Sequence, residues 1–237
     1  MSSFRSLAWS SVGKKVITGL TGFMLVGFVM VHLVGNLTLF IPDGGHAFNA
    51  YGHFLEHAIH GWLIYAFEAG LITIFLFHMV AAITVAWTDK RKARPKGYAV
   101  VKNAGGKSRK GLPSTSMIYT GITLIIFVVL HVKMFKYAAH PMVTYDGTTM
   151  KNLYAVVVEA FKQPLITGLY VAVMIMLGYH LRHGFWSAFQ SLGWNSDRYM
   201  DVLQVVARVF AVLFAAGFVA LPLFLYFFAD APVPGGH

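Results

Sequence analysis

The amino-acid sequence predicts an all-α membrane protein with five transmembrane helices. Of the 237 residues, 57% are apolar and only 12% are charged, and the mean hydropathy of +0.63 is far above that of soluble domains. The charged residues are grouped, which leaves charge-free runs close to the roughly 20 residues that a helix needs to cross a bilayer. The chain has no cysteine, which excludes disulfides, iron–sulfur ligation and covalent C-x-x-C-H haem attachment.

Five charge-poor runs define the predicted spans. The first follows Lys14 and Lys15, and it is too long and too poorly followed by a cleavage site to be a signal peptide. The third opens with the helix-start signal LPS, and the fifth contains Pro222, which a membrane helix tolerates. No soluble domain or internal repeat is evident, so residues 1–237 are predicted to form a single integral membrane domain. The predicted spans are 16–41, 62–88, 113–135, 164–190 and 205–229.

The distribution of Lys and Arg predicts the orientation. Residues 90–110 contain nine Lys or Arg, whereas residues 42–61 contain none. The positive-inside rule therefore places the basic loop 89–111 and the N-terminus in the cytoplasm. Residues 133–162 hold four lysines and lie outside in this scheme, which weakens the charge argument without reversing it. Because these connections account for the net charge of +10, nucleic acid is not an expected partner, whereas membrane lipid is.

Each of the first four spans contains a histidine within its apolar stretch. Ionisable residues inside a span are functional candidates, although a single histidine can simply hydrogen-bond a neighbouring helix. Four histidines in four spans are harder to explain in that way. They are His32, His78, His131 and His180.

Depth divides these histidines into two pairs. At 1.5 Å per residue, His32 lies about 24 Å and His131 about 27 Å beyond the start of its span, so both are at the outer level. The second and fourth spans run the other way, and His78 lies about 16 Å before the end of its span. His180 is two residues before Arg182, so these two histidines share the inner level. Facing imidazoles at two levels are suited to two bis-histidine haems, which transfer electrons because no coordination position is open.

Several alternatives remain at this point. A zinc site needs four ligands around one point, whereas these histidines lie at two levels. Copper bound by histidine alone has no supporting Met or Cys pattern here. His183 is one turn from His180 and could be the ligand in its place. Glycines in the first and fourth spans leave room for a flat ring, but they also allow close helix packing. Those glycines are Gly19, Gly22, Gly27, Gly35, Gly178 and Gly184.

From about Ser10 to Ala229, the chain resembles the five-helix, two-haem cytochrome b subunits that anchor bacterial succinate:quinone oxidoreductases and fumarate reductases. The most specific string surrounds His180, where Gly, Trp and Ser follow the histidine by four, six and seven residues. The strings that carry the resemblance are VMVHLVGNL, AFNAYGHFL, FLFHMVAAI, IFVVLHVKMF and GYHLRHGFWSAFQSLG.

The resemblance implies ligands, partners and location. It assigns His78 and His180, and not His183, to an inner haem b, and His32 and His131 to an outer one. It implies a flavoprotein subunit with FAD and an iron–sulfur subunit, both docked on the cytoplasmic side of a bacterial inner membrane. Dicarboxylate chemistry then belongs to a partner chain and quinone chemistry, with menaquinone, to this one. The resemblance also implies a metal-binding protein that holds iron and takes part in electron transport, within a succinate dehydrogenase of the tricarboxylic acid cycle or a fumarate reductase.

Quinone chemistry moves two electrons and two protons and requires an acid/base group. Glu68, in an otherwise apolar span, is the leading candidate for this proton transfer. The alternative is that Glu68 lies in the solvated membrane interface and has no such role. His53 is a second candidate because it falls in the AFNAYGHFL string, and Glu56, His57 and His60 lie nearby. Arg182 could contact a haem propionate, but an arginine is expected at this boundary anyway. Some relatives carry a glutamate where this chain has Gly178, so that proton route is not expected here.

Two competing functions are considered. Other quinone-linked dehydrogenases and reductases use two-haem anchors, but one histidine in each of the first four spans favours the succinate type. The other function is a haem-free, proton-coupled transporter in which the histidines and Glu68 titrate without metal. Five spans without an inverted repeat argue against a transporter.

Overall fold

The computed structural model describes residues 8–89, 116–194 and 196–230. Within these ranges, five helices are long and apolar enough to cross a membrane, which confirms the predicted all-α membrane fold and a multi-pass protein. The basic loop predicted over 89–111 lies outside the described residues from position 90 onward. The five long helices are α1 (Ser11–Asn36), α3 (Trp62–Ile83), α4 (Met117–Phe135), α6 (Pro164–Ser191) and α7 (Met200–Phe228).

The first helix begins earlier than the apolar run. The Ser10 hydroxyl accepts a hydrogen bond of 3.0 Å from the backbone N–H of Gly13, which caps the helix and allows it to start at Ser11. The charged Lys14 and Lys15 then lie inside α1. Counting charge-free residues finds the hydrocarbon-spanning part of a helix, so it misses the turns that lie in the polar interface. The same reason explains why α7 starts at Met200, before the predicted residue 205.

Short elements connect the long helices. A 3-10 turn (Leu37–Phe40) follows α1, helix α2 covers His46–His57, and a second 3-10 turn (Ala58–Gly61) precedes α3. A π-type turn (Thr84–Asp89) follows α3. A hairpin of β1 (Met142–Tyr145) and β2 (Thr148–Lys151) and helix α5 (Leu153–Phe161) lie between α4 and α6.

The sequence analysis did not predict the hairpin. Asp146 and Gly147 form its tight turn with φ of 48° and 81°, as a turn with two left-handed residues requires. The strands are antiparallel, with Val143 opposite Met150. The Asp-Gly pair is a strong local hairpin signal, so the sequence contained the information.

A buried asparagine joins α2 to the hairpin and α5. The side chain of Asn49 is 0% exposed. Its amide nitrogen donates to Asn152 Oδ1 at 3.1 Å and to the Tyr145 hydroxyl at 3.4 Å, and its oxygen accepts from the Tyr154 backbone N–H at 2.9 Å. Asn152 in turn caps α5 by accepting from the Ala155 N–H. These bonds satisfy polar groups that would otherwise be buried without partners.

The chain divides into two compact units that are both built from segments of the long helices. The first unit contains Met1–Phe28, Gly70–Ile122 and Gly178–Val212, and the second contains Val29–Ala69, Thr123–Leu177 and Leu213–His237. In the first unit, Phe185 stacks on Phe210 at 5.0 Å between ring centroids, and Phe23 packs edge-on against Phe189. The core of the second unit consists of Leu39, Val158, Phe161, Tyr170, Leu221, Leu225 and Ala229.

Candidate functional site

In the first unit, the structure brings His78 and His180 together. His78 lies on α3 and His180 on α6, and their ring centroids are 6.4 Å apart with ring planes at 66°. Nδ1 of His78 is 3.2 Å from the backbone oxygen of Thr18 and 3.3 Å from the hydroxyl of Thr21, both on α1. Nδ1 of His180 is 3.1 Å from the hydroxyl of the buried Thr120 on α4. Four helices therefore position this pair.

In the second unit, the structure brings His32 and His131 together. Their ring centroids are 5.9 Å apart, with ring planes at 85°. Nδ1 of His131 is 3.1 Å from the hydroxyl of the buried Tyr170 on α6. The ring of Phe218 on α7 stacks on His32 at 6.1 Å and 30°. Helix α7, in which no ligand was predicted from the sequence, thus also contacts this pair.

Both separations fit a metal ion between the two rings. A metal lies about 2 Å from an imidazole nitrogen, as in zinc sites, and a ring nitrogen lies about 1.1 Å from the centre of a five-membered ring with bonds near 1.35 Å. Two imidazoles on opposite sides of one ion therefore have centroids about 6.2 Å apart. The observed 6.4 and 5.9 Å agree with this distance. Among residues 8–89, 116–194 and 196–230, no three His, Asp or Glu side chains gather around one point, as a zinc site would need.

Glycines lie beside the histidines of the first unit. A Cβ added to Gly22 would lie 3.4 Å from Cε1 of His78, and one added to Gly121 would lie 3.7 Å from Cε1 of His180. These positions therefore keep space next to the imidazole rings. Gly19 has a different role, because a Cβ there would meet Ser191 and Ala188 of α6. Gly19 thus allows close helix packing, whereas Gly22 and Gly121 lie directly against the imidazole rings.

His183 and Arg182, the other residues considered near His180, have different surroundings from His180. The ring of His183 packs edge-on against Trp186 at 5.0 Å, whereas the ring of His180 is the one next to His78. The side chain of Arg182 is exposed. The geometry thus separates His180 from His183, which spacing in the sequence could not do.

Glu68 has a partner that the sequence analysis missed. Its carboxylate forms an ion pair with Lys136, the residue after α4, and the two side chains are 32% and 42% exposed. Glu68 therefore lies at a partly exposed position with a cation beside it. A charged residue in an apolar span needs a partner, so Lys136, directly after α4, could have been proposed from the sequence as the partner of Glu68.

The other candidates for proton transfer lie on and after α2. His53 stacks on His57 at 4.0 Å between ring centroids, and Nδ1 of His57 is 2.9 Å from the His53 backbone oxygen. Glu56 forms an ion pair of 2.8 Å with Lys151 of β2. His60 has a left-handed backbone, with φ of 55°.

No family model, curated protein or solved structure matches this chain. Interpretation of the site therefore depends on its own geometry and chemistry.

Proposed function

We propose that this chain is a membrane-anchor cytochrome b subunit that relays electrons through two bis-histidine b haems between peripheral redox subunits and a membrane quinone. The observation that carries the proposal is the presence of two histidine pairs, with ring centroids 5.9 and 6.4 Å apart, close to the separation of two imidazoles on opposite sides of one metal ion. His78 and His180 would hold one haem, and His32 and His131 the other. Each pair lies within a single compact unit.

The ligand chemistry supports electron transfer over oxygen or substrate binding. Bound haem b supplies a one-electron carrier at each pair. Each pair would supply two imidazole ligands to one iron, which would leave no position for oxygen. The four histidines lie on four different helices. Packing of these helices would hold the ligands in place and limit their movement when the charge of the iron changes.

Glu68 and Lys136 are proposed to serve the quinone. Reduction of a quinone consumes two protons, and a carboxylate can deliver them if water reaches it. Glu68 is the candidate because its carboxylate lies partly exposed on the surface of an otherwise apolar helix, paired with Lys136. His53 is the second candidate, and on α2 it is partly accessible.

The partners and location are proposed from the charge pattern and from the resemblance to succinate:quinone oxidoreductase anchors. We propose a bacterial cytoplasmic membrane, with the N-terminus and the basic segment 90–110 in the cytoplasm. A flavoprotein subunit with FAD and an iron–sulfur subunit would dock there, with succinate or fumarate chemistry on the flavoprotein. The quinone is proposed to be menaquinone, and Arg182 to contact a haem propionate.

Optical spectroscopy with haem quantification tests the proposal. The chain is purified with its partners, its dithionite-reduced minus oxidised spectrum is recorded, and haem per polypeptide is measured as the pyridine haemochrome. We expect two b haems per chain, and reduction of both by succinate or oxidation of both by fumarate. A colourless complex would overturn the proposal and favour a haem-free, proton-coupled transporter. Two haems that react with neither dicarboxylate would instead indicate the anchor of another quinone-linked enzyme.

A further inference from the structure

A backbone carbonyl determines which nitrogen of His78 carries hydrogen. The Thr18 carbonyl oxygen lies 3.2 Å from Nδ1 and can only accept, so Nδ1 must donate. In the neutral ring, Nε2 then has the lone pair that a metal needs. The hydroxyl of Thr21, 3.3 Å from Nδ1, donates its own hydrogen to the Ile17 carbonyl at 2.6 Å. Its oxygen is thus a second acceptor for Nδ1–H.

His180 has a comparable arrangement with the hydroxyl of Thr120. The Thr120 hydroxyl lies 3.1 Å from the carbonyl oxygen of Met117 and 3.2 Å from that of Ser116, both in the preceding turn. If its hydrogen points to these carbonyls, its oxygen accepts from His180 Nδ1–H at 3.1 Å. If the Thr120 hydroxyl instead donated to Nδ1, the hydrogen of the imidazole would lie on Nε2, and that nitrogen could not bind a metal. Thr120 is only 4% exposed, so water does not replace this acceptor.

His131 has a phenol in the same position. The Tyr170 hydroxyl is 3.1 Å from Nδ1 of His131 and 3.9 Å from the sulfur of Met134, which can accept its hydrogen. In that arrangement, which leaves Nε2 free to bind a metal, the phenol oxygen accepts from Nδ1–H. Tyr170 is 7% exposed. His78, His180 and His131 therefore each have a protein oxygen at Nδ1, and these oxygens belong to a backbone carbonyl or to hydroxyl groups.

We infer that Thr21, Thr120 and Tyr170 are positioning residues that accept a hydrogen bond from Nδ1–H of a ligand histidine, which presents Nε2 to the iron and sets its donor strength. This inference rests on the proposed haem function. An acceptor at Nδ1 raises the basicity of the imidazole, and a more basic ligand stabilises the oxidised iron. Loss of the acceptor should therefore raise the midpoint potential of that haem and weaken its retention.

The test uses isosteric variants in the complete complex purified from membranes. Thr120→Val removes the hydroxyl that lies 3.1 Å from Nδ1 of His180, and Tyr170→Phe removes the hydroxyl that lies 3.1 Å from Nδ1 of His131. Thr21→Val leaves the Thr18 carbonyl in place, so its effect should be the smallest of the three. Thr120→Ser restores a hydroxyl. Thr84→Val is a matched control, because the Thr84 hydroxyl bonds the Val80 carbonyl of its own helix.

Three quantities are measured for each variant: haem per chain, the midpoint potential of each haem by redox titration of its α band, and the electron paramagnetic resonance of the low-spin ferric form. We expect Thr120→Val to raise the potential of one haem, Tyr170→Phe to raise that of the other, and Thr120→Ser to return to the wild-type value. Haem retention at the affected site should fall by about 10- to 100-fold.

The outcomes separate this inference from the proposed function. Two haems in the wild type and unchanged potentials and resonances in Thr120→Val and Tyr170→Phe would overturn the inference while the proposed function stands. The inference would also be overturned if Thr84→Val shifted a midpoint potential as much as Thr120→Val, because the effect of Thr120→Val would then be nonspecific. A wild-type complex without haem would overturn the proposed function itself.

Discussion

Glu68 on α3 forms an ion pair with Lys136, which follows the last turn of α4. The pair holds a carboxylate at a partly exposed position on an otherwise apolar helix. A charge at such a place is costly unless it is paired or used, so the contact either stabilises the fold or serves proton transfer. The two roles give different mutant behaviour.

Replacement of Glu68 by Gln should slow quinone turnover by about 100-fold or more, because a general acid or base contributes roughly 10²–10⁴ to rate. Haem content and the reduction of both haems by the partner subunits should stay normal. The measurement is steady-state quinone reduction beside stopped-flow haem reduction.

The chain supplies a matched control for this experiment. Glu159 on α5 is an exposed carboxylate outside the group of proton-transfer candidates on and after α2. Glu159→Gln should leave quinone turnover unchanged. Equal losses in both variants, or none in Glu68→Gln, would show that Glu68 has no special role in proton transfer.

The assignment of ligands predicts selective haem loss. His180→Ala should remove one haem and leave the other, since each pair lies in its own compact unit. His183→Ala should retain both haems because its ring packs on Trp186 and not next to His78. Pyridine haemochrome quantification decides between these residues. One haem in His183→Ala and two in His180→Ala would reverse the assignment.

Gly22→Val should crowd His78 and weaken haem binding at that pair. A Cβ at this position already lies 3.4 Å from the ring, and overpacking costs about 1–3 kcal/mol. Affinity should therefore fall by roughly 5- to 150-fold. Gly27→Val on the same helix is the control, because an added Cβ there meets nothing within 4 Å. Haem retention during detergent washing distinguishes the two variants, and similar retention would contradict the proposed role of Gly22.

Asn49→Ala should destabilise the region formed by α2, the hairpin and α5. The change leaves the Tyr154 N–H and the Asn152 side chain without their buried partner, at a cost of about 1–3 kcal/mol. Thermal unfolding followed by intrinsic fluorescence should show a lower Tm. The exposed Thr144→Val, which breaks only the hydroxyl contact with Thr149, should change Tm little. An unchanged Tm in Asn49→Ala would contradict the expected contribution.

Much of the candidate site could be anticipated from residue type and position along each span. The histidines stand out because they are ionisable groups in apolar segments, and their depths follow from the helical rise. Spacing alone left the choice between His180 and His183 open because both lie within one turn, and the resemblance favoured His180. In the fold, the contacts with His78 and Trp186 distinguish the two rings. The hairpin was missed although Asp146-Gly147 is a local signal.

The sequence by itself determined the fold class and the number of spans, because the length of an apolar run and the charges at its ends are properties of the linear chain. Only the tertiary structure decided which polar groups meet: Thr120 and His180 are 60 positions apart, and Asn49 and Tyr154 are 105 apart. Lys136 next to Glu68 is a further case. Such contacts depend on how helices rotate and pack against one another, and hydropathy, which is summed along one helix, carries no information about that rotation.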